Sequence, residues 1–158
     1  FPVKPIRLIV AFAPGSINDA AARELARHMH TTLGQPFVVD NKPGAGGIIG
    51  TDFVAMATAD GYTLGLGASS QLVANIGMHR SLPFNIARDI MMVGLALKTE
   101  MVFIAAPDGP RTLKELIARA KSDPKVLTFG SAGVGSINHV SGEAFARHTG
   151  IQMTHVPY

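Results

Sequence analysis

Ile6-Arg7-Leu8-Ile9-Val10-Ala11-Phe12, followed at once by Ala13-Pro14-Gly15-Ser16, is the stretch that decides the fold. A nearly unbroken apolar run of this length suits a parallel strand buried on both faces. The Pro-Gly pair turns the chain, and helical spacing begins: Ala22, Leu25, Ala26, Met29 and Leu33 share one face. Gly34 and Pro36 then stop the helix. One strand, one Gly/Ser loop and one amphipathic helix make a βα unit, and the remaining sequence repeats it.

Phe37–Asp40 reads as the second strand, Pro43–Gly47 as its loop and Ile48–Ala57 as its helix. Asp60-Gly61 turns into a third strand, Tyr62–Leu66, and Ser69–Met78 has a weaker helical pattern. Met91–Leu97 and Met101–Ala106 read as two more strands, placed where one lobe would cross to another. Thr112-Leu113-Lys114-Glu115 has the capping-box spacing, which predicts a helix to about Ser122. Leu127–Gly130, the loop Ser131–Ser136, a helix over Ile137–Thr149 and Met153–Val156 complete the series. Alternating strands and helices predict an α/β fold with mainly parallel sheets.

The composition excludes several classes. Of 158 residues 47% are hydrophobic and 16% charged, enough for a core and unlike a disordered chain. The net charge of +3 is scattered rather than gathered in a basic stripe, which argues against nucleic acid but suits anionic ligands. No cysteine is present, so disulfides, thiol catalysis and cysteine-ligated zinc are excluded. No apolar run approaches the roughly 20 residues of a bilayer span. Phe1-Pro2-Val3-Lys4 reads as an N-terminus from which a signal peptide is already removed.

In open α/β sheets ligands lie beyond the carboxyl ends of the strands, at helix N-termini whose unpaired N–H groups attract anions. Two loops fit: Ala13, Pro14, Gly15, Ser16 and Asp19, and Ser131, Ala132, Gly133, Gly135 and Ser136 with His139 just beyond. The alternative is that both are plain βα turns with Ser16 or Asn18, and Ser136, as helix caps. Gly44–Gly50 has G-x-G-x-x-x-G spacing after the second strand, so helix-packing glycines are expected rather than a dinucleotide site. Ser131, Ser136 and His139 lack a nucleophile elbow. The histidines show no metal-ligand spacing; no metal and no cofactor is expected.

A set of ordered motifs then carries a resemblance: Phe12-Ala13-Pro14-Gly15 with Asp19, Ala22 and Arg23; Leu33-Gly34-Gln35-Pro36; Asn41-x-Pro43-Gly44-Ala45-Gly46-Gly47; Asp60-Gly61-Tyr62-Thr63-Leu64; Gly130-Ser131-Ala132-Gly133-x-Gly135-Ser136-x-x-His139; and His155-Val156-Pro157-Tyr158. From first residue to last, these resemble the substrate-binding proteins of tripartite tricarboxylate transporters, the Bug receptors. The resemblance implies a type II periplasmic-binding-protein-like fold of two lobes, here residues 1–100 and the first part of a second lobe in 101–158, incomplete at the C-terminus. It implies a periplasmic, non-enzymatic receptor that captures a small carboxylate for its membrane transporter subunits. The two loops would face each other across the cleft, Ser69, Ser70 and Asn75 would line the first-lobe wall, and His139 would match the family histidine beyond the second loop.

Ser16 departs from relatives that have a second glycine there, and family members are about twice as long. Truncation is the expectation, with a monomer at full length and a homodimer through open strand edges as the alternative for the short form. Two other functions stay open at this point: a small serine hydrolase or nucleotide-binding enzyme, and a fragment that only associates through its edges.

Overall fold

The computed structural model describes residues 1–123, 127–131 and 133–158. The chain divides into two compact units, Phe1–Lys98 and Thr99–Tyr158.

In the first unit, β1 (Ile6–Val10) is the middle of a three-stranded parallel sheet, between β2 (Phe37–Asn41) and β3 (Thr63–Leu66). The central place explains its composition. Leu8, Ile9 and Val10 are buried along with Ile6, and only Arg7 reaches solvent, where it pairs with Asp40 of β2 at 2.6 Å. The register sets Val10 opposite Asn41 on one side and Leu66 on the other. α1 (Ile17–Leu33) lays Ala22 on Leu8, Val10 and Leu66, with Leu25 and Phe12 around them. Each such aliphatic side chain stabilises the fold by about 1.5–3 kcal/mol when fully buried. Gly34 ends α1 in the left-handed region, φ 71°, and returns its N–H to the His30 carbonyl.

A 3-10 turn (Ala45–Gly47) leads into α2 (Ile48–Ala55), which packs on β3 and β1. Beyond β3, Ser70–Ala74 forms a π turn that runs into α3 (Asn75–Met78), and a short α4 (Ile86–Asp89) follows. The weak helix expected at 69–78 is therefore real but begins over-wide. Gln71 explains the start: its Oε1 accepts the Ala68 N–H at 2.6 Å, taking a donor the opening turn leaves free.

In the second unit α5 (Leu113–Ser122) and α6 (Ile137–Thr149) accompany a two-stranded parallel sheet of β4 (Thr128–Ser131) and β5 (Thr154–Pro157). Ala120, Ala146 and Ile151 form its centre, with Ile117, Phe145 and Met153 against them. Thr112 caps α5 by accepting the Glu115 N–H at 3.1 Å, but Glu115 returns to the N–H of Arg111, one residue before the cap.

The strands expected at 91–97 and 101–106 do not form. Neither stretch pairs with any of the five strands, and Met91, Leu95, Val102 and Ile104 stand exposed. An apolar pattern expresses a readiness to be buried; a ladder also requires a second strand in register.

Candidate functional site

The two loops singled out in the sequence are built from the same hardware. Gly15-Ser16-Ile17-Asn18 recurs as Gly135-Ser136-Ile137-Asn138, a repeat the motif reading passed over. Gly15 and Gly135 both take left-handed backbone, φ 82° and 84°. Ser16 and Ser136 are the N-caps of α1 and α6, with φ/ψ of −68°/162° and −63°/155°. Each cap hydroxyl accepts the N–H three residues on, from Asp19 and from His139, both at 3.2 Å. Each cap N–H goes back to the loop, to the Ala13 and Gly133 carbonyls, again both at 3.2 Å. An α-helix starts with four N–H groups lacking partners inside the helix. Here the cap and the third residue are satisfied, and no acceptor among the described residues meets the amides of Ile17 and Asn18, or of Ile137 and Asn138. Each loop thus presents a cluster of donors at the positive end of a helix, the arrangement that takes a carboxylate.

What holds each loop differs by one residue. In the first, buried Asp19 closes the turn. Its carboxylate accepts the Gly15 N–H at 2.9 Å, Arg23 Nε at 3.0 Å and Nη2 at 3.0 Å, and Asn41 Nδ2 at 2.9 Å. Asn41 Nδ2 also reaches the Phe12 carbonyl at 3.1 Å, tying β2 to the loop. Hydrogen bonding from Arg23 first, then from Gly15 and Asn41, lowers the Asp19 pKa to about 2. Asp19 is therefore a clasp whose carboxylate oxygens are engaged by Gly15, Arg23 and Asn41. Asn41 supports it and had no assigned role in the sequence reading, because its contact depends on strand register.

In the second loop His139 stands where Asp19 does. Its Nδ1 accepts the Gly135 N–H at 3.3 Å, and its Nε2 lies 3.9 Å from Glu143. Ser131, expected as a ligand hydroxyl, is nearly buried and engaged within the loop: it contacts the Gly133 N–H at 3.2 Å, the Gly133 carbonyl at 3.1 Å and His155 Nε2 at 2.6 Å. Ala132 lies outside the described residues.

Of the first-lobe wall, Ser69 is exposed while Ser70 and Asn75 are buried. Asn75 donates to the Gly46 carbonyl at 3.1 Å, so it braces the Gly44–Gly47 turn. Gln71 lies beside it, fully buried with its Nε2 unpaired, and was not among the expected residues. A cleft of about 840 Å3 in the same unit holds none of the candidate residues; Lys4, Arg7, Lys42, Asp52 and Phe53 line it. Among the described residues no group of three or more His, Asp or Glu could hold a metal, and no helix is long and apolar enough to cross a membrane.

This geometry coincides with a sequence match. The family described as the tripartite tricarboxylate transporter family receptor matches residues 21–158. The chain belongs to that family. It is 41% identical to a UPF0065 protein of Bordetella pertussis and 39% identical to protein BugT of the same organism, covering all of this chain and 49% of each relative. Among solved structures, an R. palustris protein with adipate superposes with a TM-score of 0.83 at 30% identity. MatC from Rhodopseudomonas palustris with bound malate gives 0.81 at 28%. Both are covered to just over half, 53% and 54%, while all of this chain is matched. The receptor chain therefore spans about half the length of the relatives it matches, and its α/β architecture with parallel sheets is that of periplasmic binding proteins.

Proposed function

We propose that this receptor chain works as a periplasmic solute-binding protein that takes a small carboxylate and passes it to the membrane subunits of a tripartite tricarboxylate-type transporter. One observation carries the reading: the Gly-Ser-Ile-Asn loop occurs twice, each time with a capping serine and two helix-start amides that no acceptor among the described residues meets. Such a set is dominated by hydrogen-bond donors at helix starts, which suits binding of an anion. Ser131 does not favour a hydrolase, because it is nearly buried and tied to Gly133 and His155. The relatives with adipate and malate bound support a dicarboxylate as the first ligand to try.

The expected result is saturable thermal stabilisation of the complete gene product by members of a panel that includes adipate and malate. At a hundredfold excess over Kd the gain is about 2.7 kcal/mol. Neutral amides of the same acids leave the melting midpoint unchanged. A complete protein that responds to no carboxylate in calorimetry or thermal melts contradicts the proposal.

A further inference from the structure

His155 was set aside as a metal ligand in the sequence because its spacing matches no ligand set, yet it lies 2.6 Å from Ser131 Oγ, the shortest side-chain hydrogen bond of the second loop among the described residues. We propose that His155 is a positioning residue for that loop, holding Ser131 with one ring nitrogen and His139 with its face. The inference rests on the reading that the Gly135–Asn138 turn receives a carboxylate.

Counting protons assigns the tautomer. Ser131 has one hydroxyl proton and three contacts: the Gly133 N–H donates to it, the Gly133 carbonyl accepts from it, and His155 Nε2 is the third. All three are hydrogen bonds only if His155 Nε2 carries hydrogen and donates to Ser131. Were the hydroxyl proton given to His155 instead, the Ser131 bond to the Gly133 carbonyl would be lost, leaving that carbonyl only the Ser136 N–H. Ser131 thus clamps Gly133 from both sides, with His155 fixing the clamp. The Gly133 carbonyl in turn accepts the Ser136 N–H, so the α6 cap is built on this residue.

The ring face does the rest. His155 stacks on His139 with centroids 4.0 Å apart and planes 25° apart, and Phe129 leans on His155 at 4.9 Å. Phe129 is itself seated against Gly142 of α6, where any side chain would collide with its ring. The His139 ring is held so that Nδ1 meets the Gly135 N–H. Both supports of the turn that aims the Ile137 and Asn138 amides therefore pass through one residue on β5, opposite Phe129 in register. In the first loop the same task falls to a carboxylate, Asp19, with its own arginine. The two loops have identical caps and different clasps.

The test separates the hydrogen bond from the stack. In the complete gene product, His155→Phe keeps an aromatic face and removes the donor, while His155→Gln keeps an amide N–H where Nε2 stood. Isothermal titration with adipate and malate is expected to show affinity falling about tenfold in His155→Phe, the size of effect that losing one hydrogen-bond partner produces. Recovery to within about threefold is expected in His155→Gln, which restores the donor. Imidazole nitrogen NMR of the unsubstituted protein is expected to show hydrogen on Nε2 of His155, and His155→Phe to shift the amide signals of residues 133–138. Wild-type affinity in His155→Phe, or a His155→Gln variant no better than His155→Phe, overturns the proposal. So does hydrogen on Nδ1 with Nε2 bare. If neither acid binds the unsubstituted protein, the carboxylate reading fails on its own, and the tautomer and the 133–138 amide shifts still decide the positioning role. Should His155→Phe not fold, Ser131→Ala removes the same hydrogen bond with the stack intact and is read by the same amide shifts.

Discussion

Asp19→Ala is expected to lower the unfolding midpoint of the protein by about 10 °C and to abolish whatever carboxylate binding the first loop supports. The reason is the number of donors left without an acceptor. Gly15 N–H, Asn41 Nδ2 and two nitrogens of Arg23 all end on this one carboxylate, which is 4% exposed. Removing the buried carboxylate takes away several charge-assisted hydrogen bonds at once, each worth more than a neutral one, and leaves a void where Asp19 packed. Asp19→Asn keeps the shape but turns an NH2 toward one of those donors, so it is expected to fall between alanine and the unsubstituted protein. The pH dependence has a definite sign. The folded-state pKa is depressed to about 2, from an unfolded value of about 3.9. The stabilisation is therefore complete above about pH 4 and is lost as pH falls from there toward 2. Asp40 and Glu24 are also held low by Arg7 and Arg27, so the acid limb has several contributors. The diagnostic quantity is the difference between the unsubstituted protein and Asp19→Asn in denaturant unfolding. It is expected to be constant from pH 5 to 7 and to shrink below pH 4. A difference that does not vary with pH would mean the carboxylate is not the clasp.

Much of this was legible in the residues. The continuous apolar run of β1 identified the central parallel strand, and Gly34 with Pro36 marked the end of α1 to the residue. Ser16 and Ser136 were readable as caps, and both loops lie where an α/β sheet leaves its ligands. What local pattern could not show is pairing across distance. Asn41 reaches Asp19 because β2 is in register with β1, and His155 reaches Ser131 because β5 is in register with β4. Neither register can be read from the residues of one strand. The same gap explains the failure at 91–106, where two apolar runs were present and a partner strand was not. Asp19 and Ser131 were expected at the ligand as members of the two loops; the hydrogen bonds by which they also hold those loops together become visible only when every donor is counted.

The Gly44–Gly50 stretch poses a sharper test, because its spacing invites a nucleotide reading while the structure explains its glycines by packing. Gly50 sits where α2 crosses β1. A Cβ there would lie 2.6 Å from the Ala11 Cβ, 2.8 Å from its Cα and 2.8 Å from the Lys42 carbonyl oxygen. Two of these three neighbours are backbone atoms, which cannot swing aside. Gly50→Ala would gain about 1 kcal/mol of helix propensity and lose about 1–3 kcal/mol to overpacking, so a modest net loss is expected. Gly50→Val adds two methyl groups at the same crossing and surrenders part of the propensity gain. The expected loss exceeds 3 kcal/mol, a large share of the 5–15 kcal/mol that holds a typical domain together. Gly77 in α3 supplies the control: nothing lies within 4 Å of its Cβ position, so Gly77→Ala is expected to be neutral or slightly stabilising. Urea unfolding of the three variants measures all of this. If Gly50→Val unfolds as the unsubstituted protein does, the glycine is not there for packing, and a ligand's close approach becomes the better account of it. If it fails as expected while Gly77→Ala does not, the motif needs no nucleotide.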